Sequence, residues 1–346
     1  MKFAHNEDLA LLVEGTRAVL EAENSAARLR DETQSGLELW PQLAELGLLG
    51  VAMESGLRLA EVTALMEEAG RVALPEPLSD TAAVVVPALA TLGEADRAAA
   101  VCRGDLRVAI AHPLNPHSNF AQGADALLVF EEQAVSWCEA FAATPEPGID
   151  PWRRLATVTP GEQQQMLTGA QAARLTRWAA ASGAVAAAAE LCGLADTMIR
   201  MATEYAGTRE QFGQPIGSFQ AVKHLLANAR IKLEFARPVV HRAGFALEED
   251  GPARELAVAH AKLAATDAAI FAAEQAIQVF GGMGYTYEAD LHFFMKRAWA
   301  LAGCWGDREH HLTVLERAVV EGGVEVGPAA SFFENTDFAN TDFKRS

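Results

Sequence analysis

Leu256, Leu263, Ile270 and Ile277 recur every seven residues, and Ala259, Thr266 and Ala273 stand three places after the first three. Large apolar residues interleaved with small ones at this period draw a narrow seam that another helix can approach closely. Val222, Leu225, Leu226, Ala229, Leu233, Ala236 and Val240 draw a second seam at helical spacing. The pair predicts a helical bundle over residues 161–322, and its alanine-rich seams favour close helix or subunit contact.

The rest of the chain reads differently. Leu9, Leu12, Val13, Val19 and Leu20, then Leu39, Leu43, Leu46 and Leu48, have helical spacing, with Pro75-Glu76-Pro77 and Leu92-Gly93 as punctuation. They predict an N-terminal helical domain over 1–104. Short runs at 107–111, 126–130 and 134–141, separated by Pro, Asn, Gly and Asp, predict a reduced β domain over 105–160. Residues 323–346 carry Asn-Thr-Asp-Phe twice, at 335–338 and 340–343, without periodicity, and are expected to form a loose tail. The fold class is mainly α with a small β domain.

Charge narrows the partners. The 346 residues contain 28 Lys+Arg against 46 Asp+Glu, a net charge of −18, which repels nucleic acid and anionic membrane surfaces. Met1 to Ala10 shows no basic stretch followed by an apolar core, and the apolar runs 178–189 and 82–92 are broken by Ser182 and Pro87. No bilayer span is expected from these runs, and a cytoplasmic protein is. Cys102, Cys138, Cys192 and Cys304 are widely separated and are expected to be buried thiols.

Against this acidic background, Arg209 to Arg242 holds Arg209, Lys223, Arg230, Lys232, Arg237 and Arg242 against only Glu210 and Glu234. Such an island suits a small polyanion. It begins with a loop, Tyr205 to Gln220, whose three glycines let backbone N–H groups approach a phosphate and whose Ser218 is placed to cap the next helix. A second loop, Gln278 to Glu288, contains Gly281-Gly282-Met283-Gly284; taken alone it reads as a helix C-cap.

Together the loops closely resemble the two signature stretches of the acyl-CoA dehydrogenase family, YxxxRxQFGxPIxxFQ and QxxGGxGY. The 39–50 stretch resembles more loosely the family's LxxLGLLG segment, and Asp150 to Val158 the end of its middle β domain. The resemblance implies three parts: N-terminal helices, a β domain and a C-terminal four-helix bundle. It also implies FAD as cofactor, an acyl-CoA substrate and electron-transferring flavoprotein as electron acceptor. In the family, FAD lies between subunits, and these loops meet the adenosine diphosphate part of a neighbour's flavin. By motif, the residues that would do so are Arg209, Phe212, Gln278, Gly281 and Gly282.

The family reaction takes an α-proton onto a carboxylate while the β-hydrogen leaves as hydride to the flavin, so a base is obligatory. In many members it is a Glu about twenty residues past GGxGY; here Trp305 stands at that place, and an indole is a donor only. The other family position, on the helix before Tyr205, falls near Gly183 and Ala184. Glu190, Asp307 and Glu309 are the carboxylates available as a displaced base, and each reads more simply as a solvated residue. The flavin-facing stretches of the β domain have no counterpart, the nearest being Ala111 to Pro116. The resemblance therefore implies a subunit of an α2β2 acyl-CoA dehydrogenase. A homologous partner would supply the base, and a bulky steroid-type CoA thioester is the expected substrate. The alternatives are a complete homotetramer with a displaced base and a catalytically inactive scaffold.

Among other polar residues, His310, His311, His112 and His117 read as exposed or loop residues, and His224 as packed. Asp196, Arg200 and Glu204 read as i,i+4 pairs on a solvated helix face.

Overall fold

The computed structural model of the chain describes residues 7–31, 33–54, 59–248 and 252–321. The expected tail at 323–346 lies outside them. Four longer helices build the N-terminal part: α1 (Glu7–Glu23), α2 (Leu59–Arg71), α3 (Leu78–Thr91) and α4 (Ala95–Cys102). Pro87 does not break α3. The helix passes it through a buried π-helical segment, Thr81–Val85, with Pro87 in the first turn that follows. Proline costs least in a first turn, and the π segment absorbs the change of hydrogen-bond register.

The β region forms two small sheets. Strands β1 (Val108–Ala111), β3 (Ala126–Phe130), β4 (Ala134–Cys138) and β7 (Gln164–Thr168) pair in the order β1-β3-β4-β7. Strands β2 (Ser118–Asn119), β5 (Phe141–Pro145) and β6 (Leu155–Pro160) pair as β2-β6-β5. Only β1 and β3 run parallel. Because β7 adds to the open edge of β4, the bundle begins at Gly169, later than the sequence boundary at 161.

Among the described residues the C-terminal part contains the helices α5 (Gly169–Thr208), α6 (Gln220–Ala246), α7 (Pro252–Phe280), α8 (Leu291–Ala302) and α9 (Arg308–Val320). The heptad residues of α7 are not its deepest. Leu256, Ile270 and Ile277 are half-buried, whereas Ala261, Ala265, Ala268, Ala269, Ala272 and Ala276 are at most 1% exposed. The alanine face wins because it lets the long helices approach closely enough to exclude water, and packing density outweighs the area of any one leucine.

Two helices, Gly169–Thr208 and Ala253–Tyr285, are long and apolar enough by composition to cross a membrane. Residues 178–189 are therefore part of a longer apolar segment than the sequence reading allowed. The most apolar stretches of these helices are 83% and 67% buried in the chain's own core, so burial already accounts for their composition.

Buried polar groups tie the parts together. Arg297 of α8 pairs with Asp150 of the β region and donates to the Leu74 carbonyl at 2.6 Å. The indole N–H of Trp152 donates to the Leu29 carbonyl at 3.0 Å. All four cysteines are buried thiols, none of them in a disulfide.

Candidate functional site

The two glycine-containing loops meet at one end of the bundle. Tyr205 near the end of α5 stacks on Phe280 at the end of α7, with ring centroids 4.4 Å apart and an interplanar angle of 11°. Beyond Tyr205 a short hairpin pairs β8 (Glu210–Gln211) with β9 (Gln214–Pro215). Its two central residues, Phe212 and Gly213, have φ of +54° and +79°, as a type I′ turn requires. A phenylalanine in the left-handed region is strained by roughly 1–3 kcal/mol, yet here it projects a ring that is 94% exposed. Arg209, Gln278 and Gly282 are exposed and Gly281, at φ +59°, is half-buried; a Cβ on either glycine would meet nothing within 4 Å. These five residues therefore form an open surface and line none of the interior.

The interior crevice, where α3, α5, α8 and the β region converge, has a different character. Trp305 is 3% exposed, and its indole lies against Gly183 so closely that a Cβ there would sit 2.3 Å from Cε2. The indole N–H donates to Asp80 Oδ1 at 3.1 Å, and the backbone N–H donates to Asn115 Oδ1 at 2.7 Å. Asn119 donates to the other oxygen of Asp80 at 2.6 Å and accepts from Arg153 at 2.5 Å. Arg153 also contacts the Cys304 sulfur. What remains beside the indole is a cavity of about 40 Å³ lined by Asp80, Arg153, Glu190, Arg297 and Trp305. That volume suits a few water molecules and is too small for a planar tricyclic ring.

The carboxylates considered as displaced bases separate here. Asp307 caps α9, accepting from the His310 N–H at 2.8 Å, and Glu309 is exposed. Glu190 alone reaches the crevice; burial pushes its carboxyl above the usual carboxylate range against the pull of Arg297 and Ser79.

Several polar residues stand elsewhere than the sequence suggests. His311 is buried with its Nε2 3.1 Å from the Trp305 carbonyl, because α9 turns back over the Trp305 loop. Burial and the nearby Lys262 and His310 hold its pKa down at about 4. His112 is buried too, its ring 5.2 Å from that of Trp305, whereas His224 is exposed. Ser218 does not cap α6: its hydroxyl donates to the Pro215 carbonyl at 2.7 Å. Asp196 leaves the proposed helix-face pair and instead meets Arg71, Arg230 at 2.5 Å and Arg237 at 3.4 Å, joining α2, α5 and α6. Only Arg200 and Glu204 keep their i,i+4 contact, at 3.1 Å. Arg230 and Arg237 are thus occupied by carboxylates, and the basic island keeps Arg209, Lys223 and Lys232 exposed at its surface, Lys232 sitting 5.0 Å over the Phe271 ring. No group of three metal-ligating side chains occurs among the described residues.

Comparison with known proteins agrees with this architecture. The family model for the acyl-CoA dehydrogenase C-terminal domain matches residues 173–320. Acyl-CoA dehydrogenase IpdE2 of Mycolicibacterium smegmatis is 29% identical over 325 residues, covering 91% of this chain and 99% of that protein. IpdE2 of Mycobacterium tuberculosis is 32% identical over 247 residues, covering 70% and 73%. The chain belongs to the acyl-CoA dehydrogenase family, whose cofactor is FAD. Two solved structures share its fold. A chain of the steroid acyl-CoA dehydrogenase Tcur3481–Tcur3483 superposes with TM-score 0.80 at 24% identity, covering 92% of this chain and 99% of that one. A chain of the ChsE4–ChsE5 complex of Mycobacterium tuberculosis does so with TM-score 0.82 at 22% identity, covering 93% and 99%.

Proposed function

We propose that this chain is one subunit of a hetero-oligomeric acyl-CoA dehydrogenase, and that it serves a flavin whose reacting ring lies in a homologous partner. The observation that carries this reading is the contact of Trp305 with Gly183. Both places where the family pattern puts a base lack a carboxylate, and the indole fills the space between them. The crevice of this chain does not fit an isoalloxazine. The surface around Arg209 does suit the other end of FAD: a guanidinium fork pairs well with a pyrophosphate, and the open glycine loop lets an anion approach main-chain N–H groups.

In that arrangement Arg209 neutralises phosphate charge, Phe212 and Gln278 contact the nucleotide part, and Gly281 and Gly282 leave room for it. FAD, when bound, supplies the hydride acceptor, and the partner supplies the carboxylate that takes the α-proton. The bulky acyl group is a steroid-type CoA thioester, a choice supported by the steroid dehydrogenase complex among the fold relatives. Electron-transferring flavoprotein is the proposed acceptor. The test is turnover of a steroid-CoA thioester by this chain alone and by its complex with an adjacent-gene dehydrogenase homologue. Activity only in the complex supports the reading; activity of the lone chain contradicts it.

One observation favours a second reading, a homotetramer with a displaced base: Glu190 lines the crevice with its pKa raised. Against it stands the room available, since about 40 Å³ beside Glu190 holds no substrate carbon chain.

A further inference from the structure

We infer that the space between the three parts of this chain is an aromatic-binding site whose resident ligand is the chain's own Trp305, and that Lys262 is its positioning residue. The site is built as a ligand site is built. The indole face lies on Gly183, the tilted His112 ring is 5.2 Å from it, and Asp80 accepts its N–H, so one directional acceptor orients the ring, while Arg153, Glu190 and Arg297 line the small space left beside it. These contacts come from α5, the β region and α3, the elements the crevice separates. The slot is specific for a flat ring carrying one donor, which is the chemistry of indole.

The backbone shows that this placement is enforced. Trp305 has φ +54°, a strained conformation for an aromatic residue that persists only where its surroundings over-determine it. Asn115 holds its N–H and His311 its carbonyl. Lys262 ties the two sides of the turn together: it is 1% exposed, and its Nζ donates to the carbonyls of Leu301 at 3.0 Å, Ala302 at 3.0 Å and Gly306 at 3.3 Å. Burying an ammonium is costly unless it is well compensated, and here the compensation is the negative end of α8 and the residue after Trp305. The lysine thus joins the end of α8 to the far side of the Trp305 turn and fixes the direction in which the indole leaves the main chain.

This inference shares the Trp305–Gly183 contact with the half-site reading but concerns the interior of this chain alone, so its tests use the lone chain and read no flavin. Trp305→Gly should vacate the slot and lower the melting temperature by roughly 5–10 °C. Millimolar indole should then restore part of that loss while leaving the wild type unmoved. A Trp305→Gly chain that melts like the wild type, or that ignores indole, overturns the site. Should Trp305→Gly not fold, Gly183→Ala is compared in the wild-type and Trp305→Leu backgrounds. A large destabilisation in the first and little in the second supports the slot; equal effects overturn it. For Lys262, fluorine NMR of fluorotryptophan-labelled protein reads Trp305 directly, its signal assigned by loss in Trp305→Phe. Lys262→Met should move or broaden that signal and Lys262→Arg restore it. An unchanged signal in Lys262→Met overturns the positioning role.

Discussion

Trp305, in the turn between α8 and α9, and Gly183, on α5, press together at the two places where the family pattern calls for a catalytic carboxylate. One residue is the largest available and the other the smallest, and each explains the other. With Trp305 present, residue 183 has no room for a Cβ; with glycine at 183, the indole has a surface to lie on. The crevice is closed by complementary shape, and Asp80, itself held by Asn119, accepts the indole N–H.

Arg209→Ala should weaken FAD retention by the hetero-oligomer about 10- to 100-fold, the loss of a charge-assisted phosphate contact. The same change should leave the melting temperature of the lone chain within about 1 °C, because the Arg209 side chain is exposed. Flavin absorbance after gel filtration checks the first expectation and a thermal melt the second. Full flavin retention would favour the scaffold alternative.

Glu190→Gln should leave turnover of the complex within about twofold, since this account assigns Glu190 no proton transfer. A fall of about 100-fold or more, with Asp307→Asn and Glu309→Gln near wild type, would establish Glu190 as a displaced base. Steady-state assay of the three variants decides it.

Stability should depend on pH through His311. Its folded pKa is held down at about 4 against an ordinary 6.5, so the unfolded chain takes up the proton first as pH falls. The contribution is complete above 6.5 and is lost between 6.5 and 4, a change of about 3 kcal/mol. Lys262, held down at about 8 mainly by burial, gives a gain of the same sign, with stability rising from pH 8 toward 10.5. Among the groups facing Lys262, Cys304 and Asp307 favour its charged form and Arg153 opposes it, and Asp307 also favours the charged form of His311. Denaturant unfolding of wild type and His311→Gln at pH 7.5 and 5 measures the acid limb; the variant should lose clearly less stability on acidification.

Asp196→Ala should cost about 2–4 kcal/mol, because it leaves Arg71, Arg230 and Arg237 with fewer counter-charges in a partly buried network. Arg200→Ala, whose contact with Glu204 is exposed, should cost less than about 0.5 kcal/mol. Parallel urea titrations compare the two.

The helices, the runs that became β1, β3 and β4, and both glycine loops were legible because their signals are local: periodicity, and glycine or proline at fixed offsets. Trp305 was legible as a departure from a pattern, but its contact with Gly183 was not, since nothing in either segment points to the other. The same limit hid the roles of Lys262 and His311. A lone lysine inside an alanine-rich seam is a sequence signal in retrospect, because such a position is dry and the charge needs an answer. The basic island misled for a related reason: Arg230 and Arg237 are answered by Glu67 on α2 and Asp196 on α5, residues outside the window over which the charge was summed.

The most direct measurement is FAD per mole of chain, by absorbance, for this protein purified alone and co-purified with its dehydrogenase-like partner. The half-site account expects a colourless lone chain and about one FAD per heterodimer, because the crevice holding Trp305 has no room for a flavin ring. A lone chain carrying one FAD per subunit would contradict it.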